Sequence, residues 1–151
     1  MASTDNASTV RAVYETLNAN DLDKLASYTT PDAQITSVPF ETKASFRDDW
    51  GAWAQAFPDA SIEVKTVIAE GDHVVAEVVG RGTHTGTLPG PTGDIPPTGR
   101  RIELPLVEVY RFREGKILEM RYYFDAFSFF RQLGLGAQKA GAEARGSTAQ
   151  P

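Results

Sequence analysis

Apolar side chains first recur at helical intervals at Val10, Val13, Tyr14 and Leu17, an i, i+3, i+4, i+7 stripe that predicts an amphipathic helix. Thr4, Asp5 or Ser8 can cap its start. The run 18–21 breaks the pattern, and Asp21 is placed to cap a short second helix carrying Leu22 and Leu25. Thr30–Pro31–Asp32 reads as a turn, and Gln34–Phe40 as a short strand ended at Pro39. Thr42 is the expected cap of a third helix, whose Phe46, Trp50, Trp53, Ala54 and Phe57 share one face and which Pro58 stops.

From there the period falls to two. Ser61–Ala69 alternates, Gly71–Asp72 makes a hairpin turn, and a long strand follows from His73 to about Thr85. Thr87–Gly99 holds three glycines and four prolines without periodicity, and reads as a long flexible loop of the kind that serves as a lid. Strands Arg101–Arg113 and Lys116–Phe124, joined at Glu114–Gly115, precede a short aromatic helix, Ala126–Leu133. The tail from Gly136 lacks large apolar residues, so residues 1–135 are expected to form one domain and 136–151 a disordered tail. Helices followed by an antiparallel meander make an α+β domain. Its expected form is a cone-shaped curved antiparallel sheet wrapped around the N-terminal helices, burying the Trp50/Trp53 face and enclosing an apolar cavity.

Composition narrows the possible functions. A chain of 151 residues with 41% hydrophobic and 23% charged residues fits a single folded domain. No apolar run approaches a membrane span, and the N-terminus lacks a signal pattern, so a cytoplasmic protein with no membrane partner is expected. A formal charge of -5 argues against a nucleic-acid partner. The absence of cysteine excludes thiolate chemistry and cysteine-ligated metals. Two histidines without acid-rich spacing give no metal site, and no phosphate-binding glycine motif occurs.

The last hairpin carries the chemistry. Even positions read Leu104, Leu106, Glu108, Tyr110, Phe112 on one strand and Leu118, Met120, Tyr122, Phe124 on the next, and a three-residue loop at Glu114–Gly115 would put both sets on one face. That oily face carries a single carboxylate, Glu108, with the Tyr122 hydroxyl nearby. Desolvation raises the pKa of such a group and suits it to proton transfer near neutral pH. The opposing reading is a structural carboxyl satisfied by hydrogen bonds. His84, beyond Gly80 and Gly82 on the preceding strand, is a second candidate for proton exchange or for holding a carbonyl oxygen.

The ordered motifs Gly82–Thr83–His84–Thr85–Gly86, Pro96–Pro97–Thr98–Gly99–Arg100, Gly115–Lys116–Ile117, Arg121–Tyr122–Tyr123–Phe124–Asp125 and Arg131–Gln132–Leu133–Gly134 resemble the SnoaL-like polyketide cyclases. These belong to the nuclear-transport-factor-two-like superfamily of cone-shaped domains. The resemblance covers roughly residues 8 to 135, and implies a deep apolar cavity, acid–base chemistry without a cofactor on polyketide-like substrates, and homo-oligomers. Aligned through these motifs, the family's acid/base aspartate falls on Tyr122 and its supporting histidine on Glu108. Asp125 matches a second aspartate that is not the proton carrier.

The expected mechanism has Glu108 removing a proton alpha to a carbonyl, with Tyr122 or His84 stabilising the enolate oxygen and Trp53, Leu106, Tyr110, Met120, Phe124 and Tyr14 binding a small hydrophobic substrate. The alternative is a non-catalytic domain that holds a small apolar ligand in a degenerate cyclase site. A protein-interaction module ranks last, because the odd face of the hairpin is studded with Arg and Glu. Val107 and Val109 on that face are the expected support for a homodimer or higher homo-oligomer.

Overall fold

The computed structural model describes residues 2–90 and 92–135, so the expected tail, 136–151, lies outside the described residues. Helix α1 (Ala2–Asn18) is followed by a short α2 (Leu22–Leu25), a single 3-10 turn (Ala26–Tyr28), and strands β1 (Thr29–Ser37) and β2 (Thr42–Ala44). Helix α3 (Phe46–Ala56) then leads into β3 (Ser61–Glu70), β4 (His73–Thr83), β5 (Arg101–Arg113), β6 (Lys116–Tyr123) and α4 (Ala126–Gln132). The six strands form one curved, unclosed sheet in the order β2-β1-β6-β5-β4-β3, the α+β cone that the sequence pattern predicts. No helix among the described residues is long and apolar enough to cross a membrane.

One seam of the sheet is parallel: β1 runs alongside β6, while all other neighbours are antiparallel. The meander is therefore extended beyond β6 by a strand from the N-terminal segment. The Thr30–Pro31–Asp32 signal is an irregularity inside β1, where the register with β6 shifts between Thr29 and Gln34. Proline there lacks a ladder N–H, so the strand kinks rather than turns. Thr42 belongs to β2, and the cap of α3 is Ser45, whose Oγ accepts the Asp48 N–H at 3.0 Å.

The β5–β6 hairpin also differs in detail from expectation. Glu114 and Gly115 both have positive φ, at 51° and 78°, and Arg113 pairs with Lys116, the geometry of a two-residue type I′ turn. Such a turn puts opposite parities on one face, so Ile117 is buried beside Phe112 in place of Leu118. A bulge at Leu118 then restores the predicted parity, and Met120 and Tyr122 face Tyr110 and Glu108.

Two apolar clusters form the interior. One gathers Val10, Val13 and Tyr14 of α1 against Val74, Ala76, Val78, Tyr110 and Met120. The other gathers Phe57, Leu88, Ile95, Ile102, Leu104, Phe129 and Phe130. The 87–99 segment is not the flexible loop expected. Leu88 and Ile95 exchange backbone hydrogen bonds of 2.9 and 2.7 Å and are themselves buried, so the loop's own apolar side chains pull it onto the second cluster. Its base is close-packed: a Cβ at Gly86 would lie 1.9 Å from the Gln55 carbonyl oxygen. Only glycine fits there.

Candidate active site

The two clusters do not meet everywhere. Between them lies a cavity of about 360 Å³, walled by β5 and β6, by α3 and by the Leu88–Ile95 loop. Most of its lining is aliphatic or aromatic; the acidic side chains on it are Glu108, Asp49 and Asp48.

Glu108 reaches the cavity because β5 alternates, and it is only 8% exposed. The Tyr14 hydroxyl donates to Glu108 Oε1 at 2.5 Å, and the Tyr110 hydroxyl lies 3.1 Å from the same oxygen and 2.9 Å from the Tyr14 oxygen. With the Tyr14 proton committed to the carboxyl group, Tyr110 closes a three-membered cluster by donating to either neighbour. Both phenol contacts to Glu108 fall on Oε1, and Glu108 lines the cavity. Burial pushes the Glu108 pKa up, the two phenol bonds offset part of the rise, and the Asp49 charge adds to it. Burial and the Glu108 charge likewise raise the pKa values of Tyr14 and Tyr110, which remain neutral donors.

Asp49 enters from the opposite wall. It lies three residues after Phe46 and four before Trp53 on α3, which turns it towards the apolar side of that helix. Desolvation lifts its pKa from 3.8 to about 6, opposed by the hydrogen bond that the Tyr122 hydroxyl donates to Asp49 Oδ1 at 3.3 Å. Tyr122 is the cross-strand partner of Glu108, so one phenol stands between the two acids. Asp49 is the residue that the sequence reading missed. Its neighbours Arg47 and Asp48 suggest a solvated first turn, but the Phe46–Asp49–Trp53 spacing is the signal that places it on the buried stripe.

Of the residues expected in the site, Glu108, Tyr122, Trp53, Leu106, Tyr110, Met120 and Phe124 all line the cavity. Tyr14 does not; it stands behind Glu108 and holds it. His84 is also not brought to the cavity. It is fully buried at the base of the 87–99 loop, with its ring 5.3 Å from that of Phe57 and its Nδ1 hydrogen-bonded to Thr98. Desolvation lowers its pKa, so the ring is neutral and serves to pin the loop. Gly82 is what admits this packing, since a Cβ there would sit 2.9 Å from Phe57 Cβ. Asp125 caps α4 by accepting the Ser128 N–H at 3.1 Å. Among the described residues, no three His, Cys, Asp or Glu side chains are grouped to hold a metal ion.

Solved structures share this fold. AclR from Streptomyces galilaeus, a candidate hydroxylase, superposes with a TM-score of 0.73 at 26% identity over 87% of this chain and 97% of its own. IdmH from Streptomyces antibioticus, a candidate polyketide cyclase, gives a TM-score of 0.69 at 30% identity over 85% and 98%. A SnoaL-like protein from Jannaschia sp. CCS1 shares the fold at 24% identity, with a TM-score of 0.74 over 87% and 92%. No curated protein matches the chain. The model of the SnoaL-like polyketide cyclases matches residues 7–133, and the chain belongs to that family.

Proposed function

We propose that this protein is a cofactor-independent acid–base enzyme of cyclase or isomerase type, which moves a proton at the carbon alpha to a carbonyl in a hydrophobic, polyketide-like compound. One observation carries the reading: a carboxyl group, Glu108, lines an apolar cavity with both of its phenol partners on one oxygen, and burial there raises its pKa. A structural carboxyl would have both oxygens satisfied. Here Tyr14 and Tyr110 fix Oε1 and leave Oε2 to meet a carbonyl oxygen. Such a group handles a proton near neutral pH and stabilises the charge that develops on an enolate oxygen. Trp53, Leu106, Met120 and Phe124 supply apolar contact for the rest of the substrate. Family membership and the likeness to IdmH support a cyclase-type role.

The expected homo-oligomer fits the outer face of the sheet, where the cross-strand neighbours Val107 and Tyr123 are 39% and 41% exposed. The test of function is deuterium incorporation into β-tetralone, a hydrophobic enolisable ketone, in heavy water. The wild type accelerates exchange over buffer, and Glu108→Gln loses roughly a hundred-fold of that rate. Full exchange by Glu108→Gln would remove the assignment.

A further inference from the structure

We infer that the two carboxyl groups of the cavity divide the work, Asp49 taking the proton from the carbon acid and Glu108 giving a proton or hydrogen bond to the carbonyl oxygen. The inference rests on the proposed acid–base function and reverses the role expected of Glu108 from the sequence.

The geometry differs at the two acids. The Tyr14 and Tyr110 hydroxyls both lie on Glu108 Oε1, which leaves Oε2 as the oxygen from which a protonated Glu108 can donate to a ligand in the cavity that it lines. Asp49 receives a single, longer bond of 3.3 Å from Tyr122 at Oδ1. The titratable groups that line the cavity with Asp49 are Asp48 on its own helix, Tyr122 on β6, and Glu108 and Tyr110 on β5, and none of these is a cation. Electrostatics orders the two acids in the same sense. Asp49 titrates near 6, and its charge is one of the causes that raise Glu108, so ionisation of Asp49 favours the protonated form of Glu108. Two carboxyls whose surroundings separate their pKa values are suited to opposite roles.

The step balances without any added reagent. The alpha C–H bond breaks and its proton goes to the Asp49 carboxylate, while the carbonyl electron pair moves onto oxygen, which Glu108 Oε2–H holds. In a cyclisation, the enolate carbon bonds to a second carbonyl carbon of the same substrate. The new alkoxide takes the proton from Asp49, Glu108 retains its own, and the product is an isomer of the substrate. In an isomerisation, Asp49 returns the proton to a different carbon.

Two readouts on the purified full chain separate the roles: β-tetralone exchange, and binding of β-naphthol, a stable mimic of its enol. Asp49→Asn should lose roughly a hundred-fold or more in exchange. It should also bind β-naphthol as well as the wild type or more tightly, because a negative charge beside the mimic's oxygen is gone. Glu108→Gln should weaken β-naphthol binding. The wild-type rate should rise with pH through the Asp49 midpoint near 6, and Asp49→Asn should lack that limb. Exchange retained by Asp49→Asn, or its loss together with β-naphthol binding, overturns the division of labour alone. A wild type that exchanges nothing overturns the proposed function and this inference with it.

Discussion

Replacing Asp49 by Asn should stabilise the protein at neutral pH and leave it nearly unchanged in acid. The carboxyl pKa rises from 3.8 to about 6 on folding. Between those values the folded state binds more protons than the unfolded state, so this group's contribution to stability falls as pH rises through the window and is constant above it. At about 1.4 kcal/mol per pH unit, the rise from 3.8 to about 6 makes the ionised form cost about 3 kcal/mol. Asn carries no charge at any pH, and its Oδ1 can still accept from the Tyr122 hydroxyl. Glu108, relieved of the Asp49 charge, adds to the gain in the same direction.

Surface carboxylates such as Asp32, Asp59, Glu63 and Glu119 have lowered pKa values and the opposite slope, losing stability as pH falls. They are common to both proteins and cancel in the difference. Urea unfolding followed by the fluorescence of Trp50 and Trp53, from about pH 4 to about pH 8, measures it. The advantage of Asp49→Asn should grow from near zero to about 3 kcal/mol across the window, with an unchanged m-value. A flat difference, or a less stable variant at neutral pH, would refute the reasoning.

Tyr14→Phe removes one of the bonds that hold the Glu108 pKa down, so the Glu108 midpoint should move higher, and stability should fall by about 1–3 kcal/mol in the same unfolding assay. Gly86→Ala forces a methyl group against the Gln55 carbonyl, and should cost about 3 kcal/mol, read as a lowered thermal midpoint. Asp125→Ala should cost about 1 kcal/mol through loss of the α4 cap, while β-tetralone exchange stays at the wild-type rate.

Periodicity made much of this architecture legible. The Val10–Val13–Tyr14 stripe and the alternation of β5 are local patterns, and both bury the faces they predict. The parallel seam between β1 and β6 was hidden because it joins segments far apart in the chain, and because Pro31 breaks the alternation that would have marked β1 from its start. The parity of β6 survived for a reason that alternation does not contain: the Glu114–Gly115 turn reverses it, and the bulge at Leu118 reverses it again.

The site was half visible for similar reasons. A lone carboxylate in an apolar row singles out Glu108, whereas its hydrogen bond to Tyr14 spans 94 residues of sequence and is purely a product of the fold. His84 follows the apolar face of β4, but Gly82 lets Phe57 pack closely beside its ring, and His84 is not among the residues that line the cavity. Asp49 was obscured by the charges beside it, although its helical spacing from Phe46 and Trp53 was in plain sight.

The most direct test is a carbon-13 NMR titration of the side-chain carboxyls in the ligand-free protein, with the Glu108 signal assigned by its loss in Glu108→Gln. The account predicts a Glu108 midpoint above the ordinary glutamate value, and a lower one in Asp49→Asn, where the Asp49 charge is gone. A Glu108 signal that titrates as an ordinary solvent-exposed glutamate would contradict it.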